Sequence, residues 1–134
     1  MTGEPCICSS LRRAAHASSE FYDAALAPSG LKVTMYRLMK TVRGNEDLTL
    51  TGLAAKLDLD RSTLGRNLTV LERRGLVRRT GLKDERASGV ELTEAGASAL
   101  RAAEPLWREA QDRMHRRLDG AAGELLGLLR RVED

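Results

Sequence analysis

Aromatic residues are scarce in this chain. Phe21, Tyr22, Tyr36 and Trp107 are the only four among 134 residues, while leucine and alanine are abundant. That balance favours a mainly helical fold assembled from aliphatic stripes. No run of about eighteen apolar residues occurs, and the N-terminus lacks the apolar core of a signal peptide, so no membrane partner is expected and a cytoplasmic location is. Cysteine occurs only as Cys6 and Cys8, which excludes a disulfide framework. His16 and His115 lie far apart, and there is neither a glycine-rich phosphate loop nor a nucleophile motif. No enzymatic reaction and no cofactor are suggested by such a set.

What the chain does have is a local concentration of positive charge. Its formal net charge is only +3, yet Arg61, Arg66, Arg73, Arg74, Arg78, Arg79, Lys83 and Arg86 face just Glu72, Asp84 and Glu85 within residues 61–86. The excess of +5 there leaves −2 for the remainder. A basic patch on a nearly neutral body is the electrostatic footprint of phosphate binding, although a solvated charged face has the same composition.

The length suits one domain with a single modest core. A first helix is expected over residues 5–27, with Leu11, Ala14, Ala15, Phe21, Tyr22 and Ala25 on one stripe and Ser18 at its middle, stopped by Pro28-Ser29-Gly30. A second should cover residues 32–42, and Thr49 should cap a third that carries Leu50, Leu53, Ala54 and Leu57. Asp58 and Leu59 then make a turn, and Asp60 caps a fourth helix ending at Gly75. A basic hairpin over residues 76–93 follows, with Asp84, Glu85 and Arg86 at its tip. Thr93 should cap a long helix running to about residue 118, kinked or broken by Pro105, and a last helix holds Leu125, Leu126, Leu128, Leu129 and Val132.

The fourth helix buries Leu64, Leu68 and Leu71 on one face, leaving Arg61, Ser62, Thr63, Arg66 and Asn67 on the other side and the N-terminal turn. Any surface helix puts polar groups outward. Arginine and asparagine, however, can pair with guanine and adenine edges, and serine and threonine are short enough for close approach. Gly65 costs up to ~1 kcal/mol within a helix relative to alanine, which suggests close packing against another element or a duplex. A cationic hairpin beside such a helix can touch both grooves, so we read residues 60–93 as a winged helix-turn-helix. The first and last helices carry more apolar surface than this unit needs, and a second copy is the simplest partner.

These residues resemble the MarR family of bacterial transcription regulators. Leu48-Thr49-Leu50-Thr51-Gly52-Leu53-Ala54, Leu57-Asp58-Leu59-Asp60-Arg61-Ser62-Thr63-Leu64 and Leu71-Glu72-Arg73-Arg74-Gly75-Leu76-Val77 are similar to its helix-turn-helix. Asp84-Glu85-Arg86-Ala87 leading to Val90-Glu91-Leu92-Thr93-Glu94-Ala95-Gly96 resembles its wing. The resemblance implies a mainly α fold with an α+β wing: a lobe of residues 31–93 on double-stranded DNA, and dimerisation helices at 5–30 and 94–134. It also implies that Arg86 reaches the minor groove, oriented by Asp84. A narrow, A·T-rich minor groove attracts arginine on physical grounds as well. Arg61, Ser62, Thr63, Arg66, Asn67, Arg78, Lys83, Asp84 and Arg86 are therefore the candidate DNA-binding residues.

Cys6-Ile7-Cys8 is the other unusual feature. Two residues apart, the thiols would close only a small, strained ring, so a disulfide partner from elsewhere is more plausible. Near a helix N-terminus, with Arg12 and Arg13 about a turn on, a thiolate is favoured. The resemblance places Cys8 where an organic-peroxide-sensing branch of the family has its reactive cysteine, with Tyr22 matching one of the tyrosines that hydrogen-bond the thiolate there. Val33 stands at the other tyrosine's position. Three readings stay open for Cys6, Cys8 and Tyr22: thiol oxidation that releases DNA, binding of a soft metal or metalloid by the cysteine pair, or no sensory role. The family resemblance also allows a small aromatic ligand as effector. A homodimeric repressor on a palindromic operator is the leading expectation, and a winged-helix protein-interaction module that ignores DNA is the alternative.

Overall fold

A computed structural model describes residues 3–81 and 88–134. Helix α1 spans Ile7–Leu26 and passes through a single 3-10 turn, Ala27–Ser29, into α2 at Val33–Arg43. Helices α3 (Leu50–Leu57) and α4 (Arg61–Arg73) follow, then strands β1 (Val77–Gly81) and β2 (Ser88–Leu92). Two further helices, α5 (Glu94–Arg117) and α6 (Ala122–Glu133), complete the chain. The two strands form an antiparallel pair with Val77 opposite Leu92 and Arg79 opposite Val90.

The helix starts are set by local chemistry. Thr49 Oγ1 accepts from the Gly52 amide at 3.0 Å, Asp60 Oδ1 from the Thr63 amide at 2.6 Å, and Thr93 Oγ1 from the Gly96 amide at 3.0 Å. Each satisfies a donor the helix itself leaves open. Asp23 Oδ1 does the same for α2 from a distance, accepting from the Val33 amide at 2.8 Å and tying α2 to α1. Thr93 has a second task, since its hydroxyl donates to the Gly75 carbonyl at 2.6 Å. One side chain thus joins the end of α4 to the start of α5.

The core is aliphatic and centred on α2. Leu38, Met39 and Val42 meet Leu50 and Leu53 of α3, Leu64, Leu68 and Leu71 of α4, Val77 and Val90 of the hairpin, and Leu100 of α5. Tyr36 is the one aromatic side chain among the largest fully buried groups. Where the hairpin meets α5, a Cβ on Gly96 would lie 1.9 Å from the Leu76 carbonyl oxygen. Only glycine fits that crossing.

Two expectations need correction in part, the break at Pro105 and the close packing of Gly65 on another element. The fifth helix runs unbroken through Pro105. Pro105 and Arg101, four residues before it, both lie on the exposed face of the helix, where the ring meets no packed neighbour and solvent can replace the missing donor. Gly65 does not pack closely on another element, because a Cβ built there meets nothing within 4 Å. Trp107 packs within its own chain, stacked on Tyr36 with ring centroids 5.9 Å apart and Lys40 Nζ 4.9 Å above its ring.

The first and last helices are left largely bare. Leu26 alone is buried in α1, and Ala14 and Ala15 of its expected stripe are exposed. Helix α6 buries no residue, and Leu125, Leu126, Leu128 and Val132 stand exposed on it. Among the described residues no helix is long and apolar enough to cross a membrane.

Candidate nucleic-acid interface

Asp58 takes a left-handed conformation (φ 55°) after α3, and the amides of Asp58 and Leu59 close back on the carbonyls of Ala55 and Ala54. Only three residues separate the end of α3 from the start of α4. Asp60, its cap, has a carboxyl held below the ordinary range, first by the Thr63 amide and then by the Thr63 hydroxyl. Leu64, Leu68 and Leu71 anchor the inner face of α4. The same 3.6-residue period turns Ser62, Arg66, Val70 and Arg73 to solvent.

The expected DNA-binding residues do not all stand free. Ser62 and Arg66 are exposed on the outer face of α4, and Arg66 Nη2 lies 3.3 Å from Thr63 Oγ1. Thr63 and Asn67 are half-buried along its side. Arg61 is exposed but donates to Thr51 Oγ1 at 2.8 Å, clasping α3 to α4. On the hairpin, Arg78 pairs with its register neighbour Glu91, Nη2 to Oε1 at 2.7 Å. Lys83, Asp84 and Arg86 lie outside the described residues.

Other cations in the basic segment are engaged too. Arg79 Nε pairs with Glu72 Oε1 at 2.8 Å, and Arg74 Nη2 donates to the Gly30 carbonyl at 2.8 Å. Exposed pairs of this kind contribute little energy and leave guanidinium donors for phosphate. Arg73 makes no ion pair among the described residues. A shallow groove runs between α4 and β1, lined by Ser62, Gly65, Arg66, Val70, Arg73 and Arg79. Gly65, Val70, Arg73 and Arg79 are absent from the expected site, although extending the outward period of α4 past Asn67 finds Val70 and Arg73. The groove-lining role of Arg79 needs the hairpin in place.

At the other end, Cys6 is the N-cap residue of α1 and Cys8 lies in its first turn; both thiols are free and exposed. The Ser9 amide, then the Ser9 hydroxyl and the Cys8 amide, hold the Cys6 thiol below its ordinary value without closing a full capping bond. Tyr22 does not meet either cysteine of its own chain. Fourteen residues of helix separate it from Cys8, about 21 Å. Its hydroxyl instead donates to Gln111 Oε1 on α5, and partial burial raises its pKa. His16 pairs with Glu20 Oε1 at 3.1 Å. Helices α1, α2, α5 and α6 enclose an open, mostly apolar cavity of about 400 Å³, with Tyr22, Val33, Arg37, Trp107, Gln111 and His115 in its lining.

Comparisons with known proteins agree with this architecture. Residues 29–87 match the model of the MarR family. A protein of Thauera aromatica proposed as a transcriptional regulatory protein for the hcr operon is 32% identical over 115 residues, 84% of this chain and 69% of the relative. The crystal structure of the M. tuberculosis transcriptional regulator MosR in complex with DNA is 36% identical and covers 96% of this chain and 97% of its own, with a TM-score of 0.83. The transcriptional repressor CouR bound to a 23-mer DNA duplex is 26% identical, with a TM-score of 0.86 and coverage of 96% of this chain and 93% of its own. The chain belongs to the MarR family of transcription regulators and is not an enzyme.

Proposed function

We propose that this protein is a cytoplasmic homodimeric repressor that holds a palindromic operator through α4 and the wing, and that oxidation of Cys6 and Cys8 releases it. The carrying observation is the outer face of α4, where Ser62 and Arg66 project from a helix whose inner face is anchored by three leucines. Its relatives MosR and CouR are seen on DNA with the same fold. In this reading the lobe of residues 31–93 contacts DNA, and residues 5–30 and 94–134 form the dimer. The uncovered apolar side chains of α6, with Ile7 at the opposite end of the chain, support a second copy as their cover. Two copies then present two α4 helices to half-sites about 10 bp apart.

The redox step balances with one peroxide. A thiolate attacks the peroxide oxygen to give a sulfenic acid and an alcohol; a second thiol then displaces water to give a disulfide. Both thiols are exposed and can meet a peroxide, and the Cys6 thiol is held below its ordinary value. A Cys6–Cys8 bond within one chain would close a small, strained ring across the N-cap and first turn of α1, which makes a bond between subunits the favoured product. To act on DNA the disulfide must displace α1, which Asp23 ties to α2 and Tyr22 ties to α5. Release requires that the oxidised dimer favour a spacing of the two α4 helices that misfits the operator.

Mobility shift with the DNA upstream of the chain's own coding region, with reduced and peroxide-treated protein, tests both halves. Reduced protein should bind and oxidised protein should not, and Cys6→Ser should stay bound after peroxide. Equal binding by both forms removes the switch and leaves DNA binding intact. Absence of any shift favours the protein-interaction reading. A second effector reading has its own observation, the cavity lined by Arg37, Trp107 and Tyr22, which suits a small aromatic acid. If such an acid, and not peroxide, abolishes the shift, the cavity is the sensor. Release by a soft metal salt that Cys6→Ser prevents would point to metal binding by the thiols.

A further inference from the structure

Val70 is 41% exposed, the one large exposed apolar side chain among the described residues that lies neither on α6 nor at the N-terminus. Single exposed apolar residues are common on any surface. This one sits among Arg66, Arg73 and Arg79, on the same helical face as Ser62. Five residues before it, on the other flank of the same outer face, Gly65 adds no side chain to the groove, and a Cβ there would meet nothing within 4 Å. The groove therefore combines an apolar patch with a cationic rim.

A DNA duplex presents one matching apolar group in its major groove, the C5 methyl of thymine. The phosphates alongside it complement the arginine rim. We propose that Val70, in the arginine-rimmed groove on the outer face of α4, seats a thymine methyl in each half-site, making it a specificity-determining residue beside Arg66. The proposal rests on the DNA-binding reading above and adds a base identity to it. Val70 lies nine residues beyond the first residue of α4, about 13 Å along the axis. It reaches base edges when the helix lies along the groove, with its outer face inward.

The test uses the full-length dimer and a duplex selected from a random-sequence library by the protein itself. Each thymine of a half-site is replaced in turn by deoxyuridine, which keeps the pairing and removes only the methyl. Burial of one methyl predicts about a fourfold loss of affinity per half-site at one position, roughly fifteenfold when both half-sites are changed. Val70→Ala should bind the thymine duplex more weakly and lose that thymine-over-uracil preference, while its thermal unfolding matches the parent. Equal affinity at every thymine and uracil pair, a half-site selected without thymine, or a Val70→Ala dimer that keeps the preference would each overturn the assignment while DNA binding stands. A library that yields no bound duplex would overturn the DNA-binding reading and this one with it.

Discussion

Replacing Gly65 with alanine should make the protein more stable and a poorer DNA binder. Gly65 lies inside α4, where alanine is favoured over glycine by about 0.8–1.0 kcal/mol. No neighbour offsets that gain, because the new Cβ meets nothing within 4 Å. The Thr69 hydroxyl that donates to the Gly65 carbonyl at 2.9 Å bonds to backbone and is left in place. For a domain of this size the gain corresponds to a rise in Tm of about 2–4 °C, read by circular dichroism at matched protomer concentration because unfolding of a dimer depends on it. On DNA, with this face of α4 placed as proposed, the same methyl enters a filled groove. Overpacking of about 1–3 kcal/mol, roughly five- to 150-fold in Kd, is expected from fluorescence anisotropy with the selected operator. Opposite signs from one substitution would be hard to obtain otherwise. A stabilised Gly65→Ala protein with unchanged operator affinity would refute the placement of this face against the duplex, and a lowered Tm would refute the open surroundings of Gly65.

Gly96→Ala should destabilise by about 1–3 kcal/mol or more in urea unfolding, since its Cβ would collide with the Leu76 carbonyl at 1.9 Å, and backbone cannot step aside as a side chain does. Arg86→Ala should weaken operator binding by about 1–3 kcal/mol in anisotropy titrations, with the loss greatest for A·T-rich flanks, and an unchanged titration would remove Arg86 from the proposed interface. Because its thiol pKa is lowered, Cys6 retains thiolate to lower pH than a free cysteine; in a Cys8→Ser protein, iodoacetamide labelling should therefore reach half its maximal rate at a lower pH than labelling of free cysteine. Replacing Arg66 or Asn67 should relax base preference in a selected library, whereas replacing Arg78 or Arg79 should mainly reduce the salt dependence of binding.

The helix-turn-helix was legible because its determinants are local. Thr49, Asp60 and Thr93 each cap the helix that begins beside them, and the leucine spacing of α4 orients it before anything packs against it. Charge was less legible. Counting arginines between residues 61 and 86 reveals a patch, yet Glu91 lies outside that window and pairs with Arg78 only through strand register. Arg61 is similar, since its bond to Thr51 depends on how α3 meets α4. Pro105 does not break α5, because on the exposed face of the helix solvent can stand in for the donor it lacks.

The sequence by itself determined the helical class, the three side-chain caps, the winged helix-turn-helix and the family, because helical period, capping chemistry and turn residues act within a few positions of one another. The tertiary structure decided which cations remain available on the surface, that Gly96 must lack a Cβ, that Trp107 stacks on Tyr36, and that Gly65, Val70 and Arg79 share one groove. Those relations join residues from separate elements, and they exist only once the aliphatic core around α2 has set the distance between them.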